Sequence, residues 1–251
     1  MSITLQFHPD WPYAGGLVIE SLARDGKYRS QFETGTSNGG LTAHPGGDRW
    51  RWESRLFGGR YDAAPAAERP VYGAWNRRRD PYGGAIRFGS AHLRLRAEVL
   101  DRCTFCFPDS VLEPTDFGGP EMLPHLSAMA DASGFDDLDE CVEAHVHGGV
   151  VTERDAEAVV LDPCFRGTKV EAAARDLGCA LEWHSGFRVS SGGLDQGYRG
   201  QEYVDLARSL GDVLTPDLVG AAARSGIYEA QSLKRVWHYL ACFGRTDSGP
   251  L

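Results

Sequence analysis

Apolar and polar positions recur along the chain with two different periods, and the switches between them mark out its elements. Residues 3–7 read as a first strand, ending in His8, Pro9 and Asp10. Residues 14–24 follow at helical spacing: Val18, Ile19, Leu22 and Ala23 share a face, and Gly26 is placed to stop the helix. From Lys27 to Thr34 the period becomes two. Gln31 and Glu33 alternate with Ser30, Phe32 and Thr34, the pattern of a strand whose side chains point to opposite faces in turn. That strand runs into Gly35, Thr36, Ser37, Asn38, Gly39 and Gly40, where there is little side-chain bulk and a ligand can come close. A strand that delivers small polar groups into a glycine loop predicts one wall of a ligand cleft. A strand followed by a surface turn is the competing expectation.

The rest of the chain is read the same way. Residues 48–61 are aromatic and charged, with a short helix expected around 52–57. Residues 69–75 predict a strand, 76–84 a polar loop and 86–88 a short strand. Residues 91–100 fit a helix or a strand equally. A strand is expected over 102–107, an irregular region over 108–139, a strand with glycines near its end over 141–151, and another over 159–162. From Thr168 the character turns helical. Thr168 and Glu171 form a capping-box pattern, Val170, Ala173, Ala174 and Leu177 repeat at helical spacing, and Gly178 ends the run. Residues 180–184 suggest a strand. Two further helices carry Tyr203, Leu206, Ala207 and Leu210, and then Leu233, Val236, Trp237 and Leu240; Thr215-Pro216 opens one between them. The elements together predict an α+β fold: a split, mainly antiparallel β core over residues 1–167, and a helical C-terminal extension over 168–251 packed on the same body.

Composition narrows the function classes. A chain of 251 residues with net charge −9 can bury a sizeable core and is a poor match for a nucleic-acid backbone. Arg77, Arg78 and Arg79 leave room for a local basic cleft, or simply for a solvated turn. The six cysteines are scattered, which favours reduced thiols over a disulfide framework. Cys103 and Cys106 would face opposite sides of a strand, an arrangement that suits packing rather than a metal. The chain opens directly into a strand pattern without a basic-then-apolar leader, and no apolar run approaches a membrane span. The expected setting is therefore cytoplasmic, or a host cell into which the protein is delivered without a classical signal peptide.

The order of motifs resembles the ADP-ribosyltransferase fold: a strand ending in His8, a helix, a strand reading Phe32-Glu-Thr34-Gly-Thr36-Ser37, and a late strand presenting Glu143. In that family the first strand carries an Arg or His, the next a Phe-x-Ser-Thr-Ser motif, and a late strand the catalytic Glu. The whole chain also resembles a bacterial family of effector-like mono-ADP-ribosyltransferases that modify a threonine of ubiquitin. The resemblance implies NAD as co-substrate, an ADP-ribosyltransferase-like core, and a protein partner, with ubiquitin as candidate. It implies that His8 holds the ribose or carboxamide, Phe32 packs near the nicotinamide, and Thr34 takes the first Ser position, with Thr36, Ser37, Asn38 and Ser30 supplying polar groups. Gly35 stands where the family has Thr. Arg29 is the candidate for the pyrophosphate.

Glu143 is the expected catalytic acid, because a carboxylate stabilises an oxocarbenium-like state and can deprotonate an acceptor. Glu140 is its rival. Relatives that modify arginine carry a Glu two residues before the catalytic Glu, and asparagine-modifying relatives carry a Gln. Here that position is Cys141, so a Ser or Thr hydroxyl is the implied acceptor. Simple NAD hydrolysis is one alternative. Another is a metal-dependent hydrolase built on His145 and His147, which share a strand face with His8 and Asp10 as further ligands. A third is a module that binds a protein partner without catalysis, gripping it through Trp50, Trp52 and Trp75.

Overall fold

The structure, a computed structural model, describes residues 1–35 and 42–246. Eight strands form one hydrogen-bonded series: β1 (Ile3–Phe7), β2 (Val71–Trp75), β3 (Ala91–Leu95), β4 (Cys103–Phe107), β5 (Asp116–Gly118), β6 (Glu143–Val146), β7 (Ala156–Leu161) and β8 (Ala180–Trp183). Their order is β8-β7-β3-β1-β2-β6-β4-β5. Every pairing is antiparallel except β7 with β8.

The pairing is uneven at the centre. β1 pairs with β3 at four positions, from Thr4↔Arg94 to Phe7↔Ala91. It pairs with β2 at only two, Ile3↔Trp75 and Thr4↔Ala74. Two four-stranded halves are therefore joined by a short seam. The Tyr28 hydroxyl donates to the Gln6 carbonyl at 3.0 Å, and the Tyr28 ring sits edge-on to Phe7.

Alternation sorts the two faces of the sheet. Ile3, Leu5 and Phe7 join the main apolar core with Ile19 and Leu22 of α1 (Val18–Asp25), Leu123 and Leu126 of α4 (Leu123–Ala132), and Val170 and Ala174 of α5 (Lys169–Arg175). Thr4 and Gln6 turn to the opposite face, and His8 continues their alternation. Residues opposite one another in register share a face, so Thr4, Ala74, Glu143 and Cys106 form one row across it. A second core packs α6 (Gln201–Leu210), α7 (Pro216–Ser225) and α8 (Ala230–Phe243) around Trp237 and Tyr239, together with Tyr82 and Ile86. The Trp237 indole donates to the Ile86 carbonyl at 3.0 Å. The stretch beyond residue 167 thus supplies α5, the edge strand β8 and this helical layer.

Several expectations are corrected. The strand expected over residues 27–34 reduces to Lys27–Tyr28, which pairs with Val150–Val151. Gln31–Thr34 is instead the short helix α2. Ser30 Oγ accepts from the Glu33 amide at 3.2 Å, Glu33 accepts from the Ser30 amide at 3.0 Å, and Gly35 closes the turn at φ 62°. A reciprocal capping box satisfies two free amides at once, which outweighs a brief alternation. α3 (Asp48–Leu56) begins earlier than expected. Residues 86–88 form a 3-10 turn rather than a strand, and the undecided stretch becomes β3 followed by a 3-10 turn. The region expected to be irregular holds β5 and α4, whose Leu123, Leu126 and Ala130 are buried at helical spacing.

Candidate active site

Glu143 is the centre of the polar sheet face. It is 6% exposed. One carboxylate oxygen lies 2.8 Å from His145 Nε2, and the other accepts from Ser110 Oγ at 3.2 Å. Burial alone would raise its pKa. The hydrogen bonds from His145 and Ser110 and the Arg49 charge outweigh burial and hold it below the usual value. β4 brings Cys106 Sγ to 3.8 Å from the same carboxylate. The Cys106 thiol is pushed far up, first by burial and then by Glu143 and Asp109.

α3 covers this face. Its Arg49 is buried, lies over the Tyr72 ring at 4.4 Å, and leaves Nη1 without a hydrogen-bond partner. Glu53, one helical turn on, is fully buried; it takes Arg69 at 2.6 Å on one oxygen and the Tyr72 hydroxyl at 3.1 Å on the other. The Arg69 guanidinium stacks on Phe32 at 4.0 Å. An unbroken series of contacts therefore runs from Phe32 through Arg69, Glu53, Tyr72 and His145 to Glu143.

The other expected residues are placed as follows. His8 is buried between Trp11, stacked at 4.4 Å, and the edge of Trp237 at 4.9 Å. Burial first, and then the Lys234 charge, lower its pKa to about 3, so the ring is neutral. It does not touch Glu143. The two are linked electrostatically: Lys234 acts on His8, Asp109 acts on Lys234, and Glu143 acts on Asp109. Arg29 is exposed and ion-paired with Asp25 at 3.0 Å. Ser30 Oγ donates to the Ala66 carbonyl at 2.7 Å and caps α2, and Thr34 Oγ1 bonds back to the Ser30 carbonyl at 3.3 Å. Both hydroxyls are engaged in local structure. Thr36, Ser37 and Asn38 lie outside the described residues.

Glu140, the rival acid, is held by Arg77 and by Arg78 at 2.8 Å, beside a surface pocket that these arginines line. Cys141 is buried against Ala74 and Ala85. His145 and His147 share a face but do not converge. Thr104 Oγ1 sits between them, 3.2 Å from His145 Nδ1 and 2.9 Å from His147 Nε2. A different trio, Cys106, Glu143 and His145, brings its donor atoms within 4.8 Å of one another. There the carboxylate and imidazole already bond to each other, and the buried Arg49 charge disfavours a cation.

Arg49, Thr104, Cys106, Asp109, Ser110 and Tyr72 went unassigned in the sequence. The strand registers Cys106↔Glu143, Thr104↔His145 and Tyr72↔His145 bring three of these neighbours together. No helix among the described residues is long and apolar enough to cross a membrane. No curated protein matches the chain. The model of a family described as a protein of unknown function (DUF3626) matches residues 2–130 and 120–241, and the chain belongs to that family.

Proposed function

We propose that this protein transfers ADP-ribose from NAD to a hydroxyl of a protein acceptor, with Glu143 as the catalytic carboxylate. The observation that carries the reading is a buried carboxylate on strand β6 kept ionised by His145, Arg49 and Ser110. Such a group can stabilise positive charge developing on a ribose and take the proton of an incoming hydroxyl. The two-pair seam between β1 and β2 supports an ADP-ribosyltransferase-like split core. The buried Arg49 guanidinium, whose Nη1 has no hydrogen-bond partner and whose charge acts on Glu143, suits an anionic co-substrate.

The reaction would form a bond from the acceptor oxygen to the ribose carbon while nicotinamide leaves with the electron pair of its bond to that carbon. The acceptor proton goes to Glu143. The resemblance to effector-like relatives makes a ubiquitin threonine the acceptor to test first. Water in place of the acceptor would give NAD hydrolysis at the same site. The test is incubation of the full chain with NAD and ubiquitin, read by intact mass. An added ADP-ribose that disappears in Glu143→Gln supports the reading. Neither transfer nor NAD consumption by the wild-type protein, across a panel of acceptors, would sink it.

A further inference from the structure

The imidazole that holds Glu143 is itself held by a chain of single-proton hydrogen bonds. Tyr61 OH lies 2.6 Å from His147 Nδ1. His147 Nε2 is 2.9 Å from Thr104 Oγ1, Thr104 Oγ1 is 3.2 Å from His145 Nδ1, and His145 Nε2 is 2.8 Å from Glu143. β4 and β6 supply Thr104 and His145, which stand opposite in register, and His147 follows directly after β6. Tyr61 arrives from the turn after α3 and stacks parallel to His147.

An ionised carboxylate only accepts, so the proton between Glu143 and His145 sits on Nε2. An imidazole whose single proton sits on Nε2 offers a lone pair at Nδ1, to which Thr104 Oγ1 donates at 3.2 Å. Having given its one proton, Thr104 accepts from His147 Nε2. His147 is neutral, since burial first, and then the charges of Arg60 and Arg102, lower its pKa to about 4. Its Nδ1 therefore accepts from Tyr61, whose phenol is kept protonated mainly by burial. The chain has one consistent direction from Tyr61 to Glu143.

We propose that Thr104, His147 and Tyr61 are positioning residues that lock His145 in its Nε2–H tautomer, so that it holds Glu143 as an oriented carboxylate. The proposal rests on Glu143 being the catalytic group. None of the three residues touches the reacting atoms; each acts through the next. The other charged and titratable groups facing the chain are Arg49 and Glu53 of α3, Arg60, Tyr72 of β2, Arg102, Cys106 of β4, Asp109 and Cys141. Of these, Cys106 approaches the chain at its Glu143 end, its Sγ 3.9 Å from His145 Nε2 and 3.8 Å from the Glu143 carboxylate.

The experiment uses the full chain with 15N-labelled histidine. In the wild-type protein the imidazole nitrogens of His145 should report a protonated Nε2 and an unprotonated Nδ1, and His147 the same. Thr104→Val removes the link while keeping the shape. The His145 signals should then shift towards a tautomer mixture, and transfer from NAD should fall about tenfold in kcat with NAD affinity changed less than about twofold. Thr104→Ser, which keeps the hydroxyl, should restore both readouts. A doubly protonated or Nδ1–H His145 in the wild-type protein would overturn the proposal. So would a Thr104→Val protein whose spectrum and rate match wild type. If the wild-type protein transfers nothing, the functional reading fails, while the tautomer spectra still decide whether the chain exists.

Discussion

Glu143 and His145 stand two residues apart on one strand and meet at 2.8 Å, with both side chains turned to the same sheet face. The pair is buried, so its charge state depends on its neighbours rather than on water. Glu143→Gln keeps the shape and removes the charge. Transfer should fall by about a hundredfold or more. Arg49 loses a counter-charge, so the melting temperature should also drop modestly. Transfer assays and a thermal melt on the same preparation check both; a wild-type rate in a folded variant would move the catalytic role elsewhere.

Glu53 and Arg69 form a buried ion pair at 2.6 Å, with side-chain exposures of 0% and 4%. Removing one partner leaves the other charged without compensation. Glu53→Ala should therefore cost about 3 kcal/mol or more of unfolding free energy. The loss also frees the Tyr72 hydroxyl and the guanidinium that stacks on Phe32. Denaturant unfolding, read as a midpoint shift at constant slope, measures it. An unchanged midpoint would mean that α3 does not clamp this face.

Stability should fall as pH drops from about 6.5 towards 4.5. Burial, aided by nearby positive groups, lowers His8 and His92 to about 3, His147 to about 4 and His238 to about 2. Unfolded histidine takes a proton below about 6.5, so each such group favours the unfolded chain as pH falls through that value. Asp10 and Asp109, raised to about 6 chiefly by burial, act in the opposite direction and bind protons first in the folded state. Four groups against two leave about two protons, or ~2.7 kcal/mol per pH unit. His238 has neither ring nitrogen hydrogen-bonded, so His238→Leu should flatten the slope by up to one proton. Unfolding titrations at several pH values decide it, and an unaltered slope would contradict the assignment.

Short-range signals in the sequence were read correctly where one principle acted alone. The alternation of Ile3, Leu5 and Phe7 against Thr4 and Gln6 marked β1 and its polar face. The spacing of Leu233, Val236, Trp237 and Leu240 marked α8. Residues 27–34 failed because two local rules competed, and the Ser30–Glu33 cap won over alternation. The site divided along the same line. Glu143 was legible as a carboxylate within an apolar strand. Cys106 as its neighbour was not, since the register of two strands 37 residues apart is a tertiary fact. Arg49 was hidden for another reason. An arginine on a polar helix looks solvated in sequence, and only the sheet packed beneath it shows that it is buried.

The acceptor is expected to be a hydroxyl. Cys141 lies two residues before Glu143, where ADP-ribosyltransferases that modify arginine or asparagine place Glu or Gln. Its thiol packs among Ala74, Ala85 and Phe88. Burial, followed by the charges of Asp109 and Glu143, drives its pKa well above the ordinary thiol range. A neutral thiol in that setting offers nothing that would grip a guanidinium or orient an amide. A Ser or Thr hydroxyl needs no such grip, because a single hydrogen bond to Glu143 aligns its oxygen and removes its proton. The adduct should therefore resist neutral hydroxylamine, which releases carboxylate esters quickly and arginine adducts more slowly. Fragmentation mapping of the modified protein should place ADP-ribose on a serine or threonine. An arginine adduct, or NAD consumed with no adduct on any acceptor tested, would overturn the hydroxyl assignment and leave the description of the fold untouched.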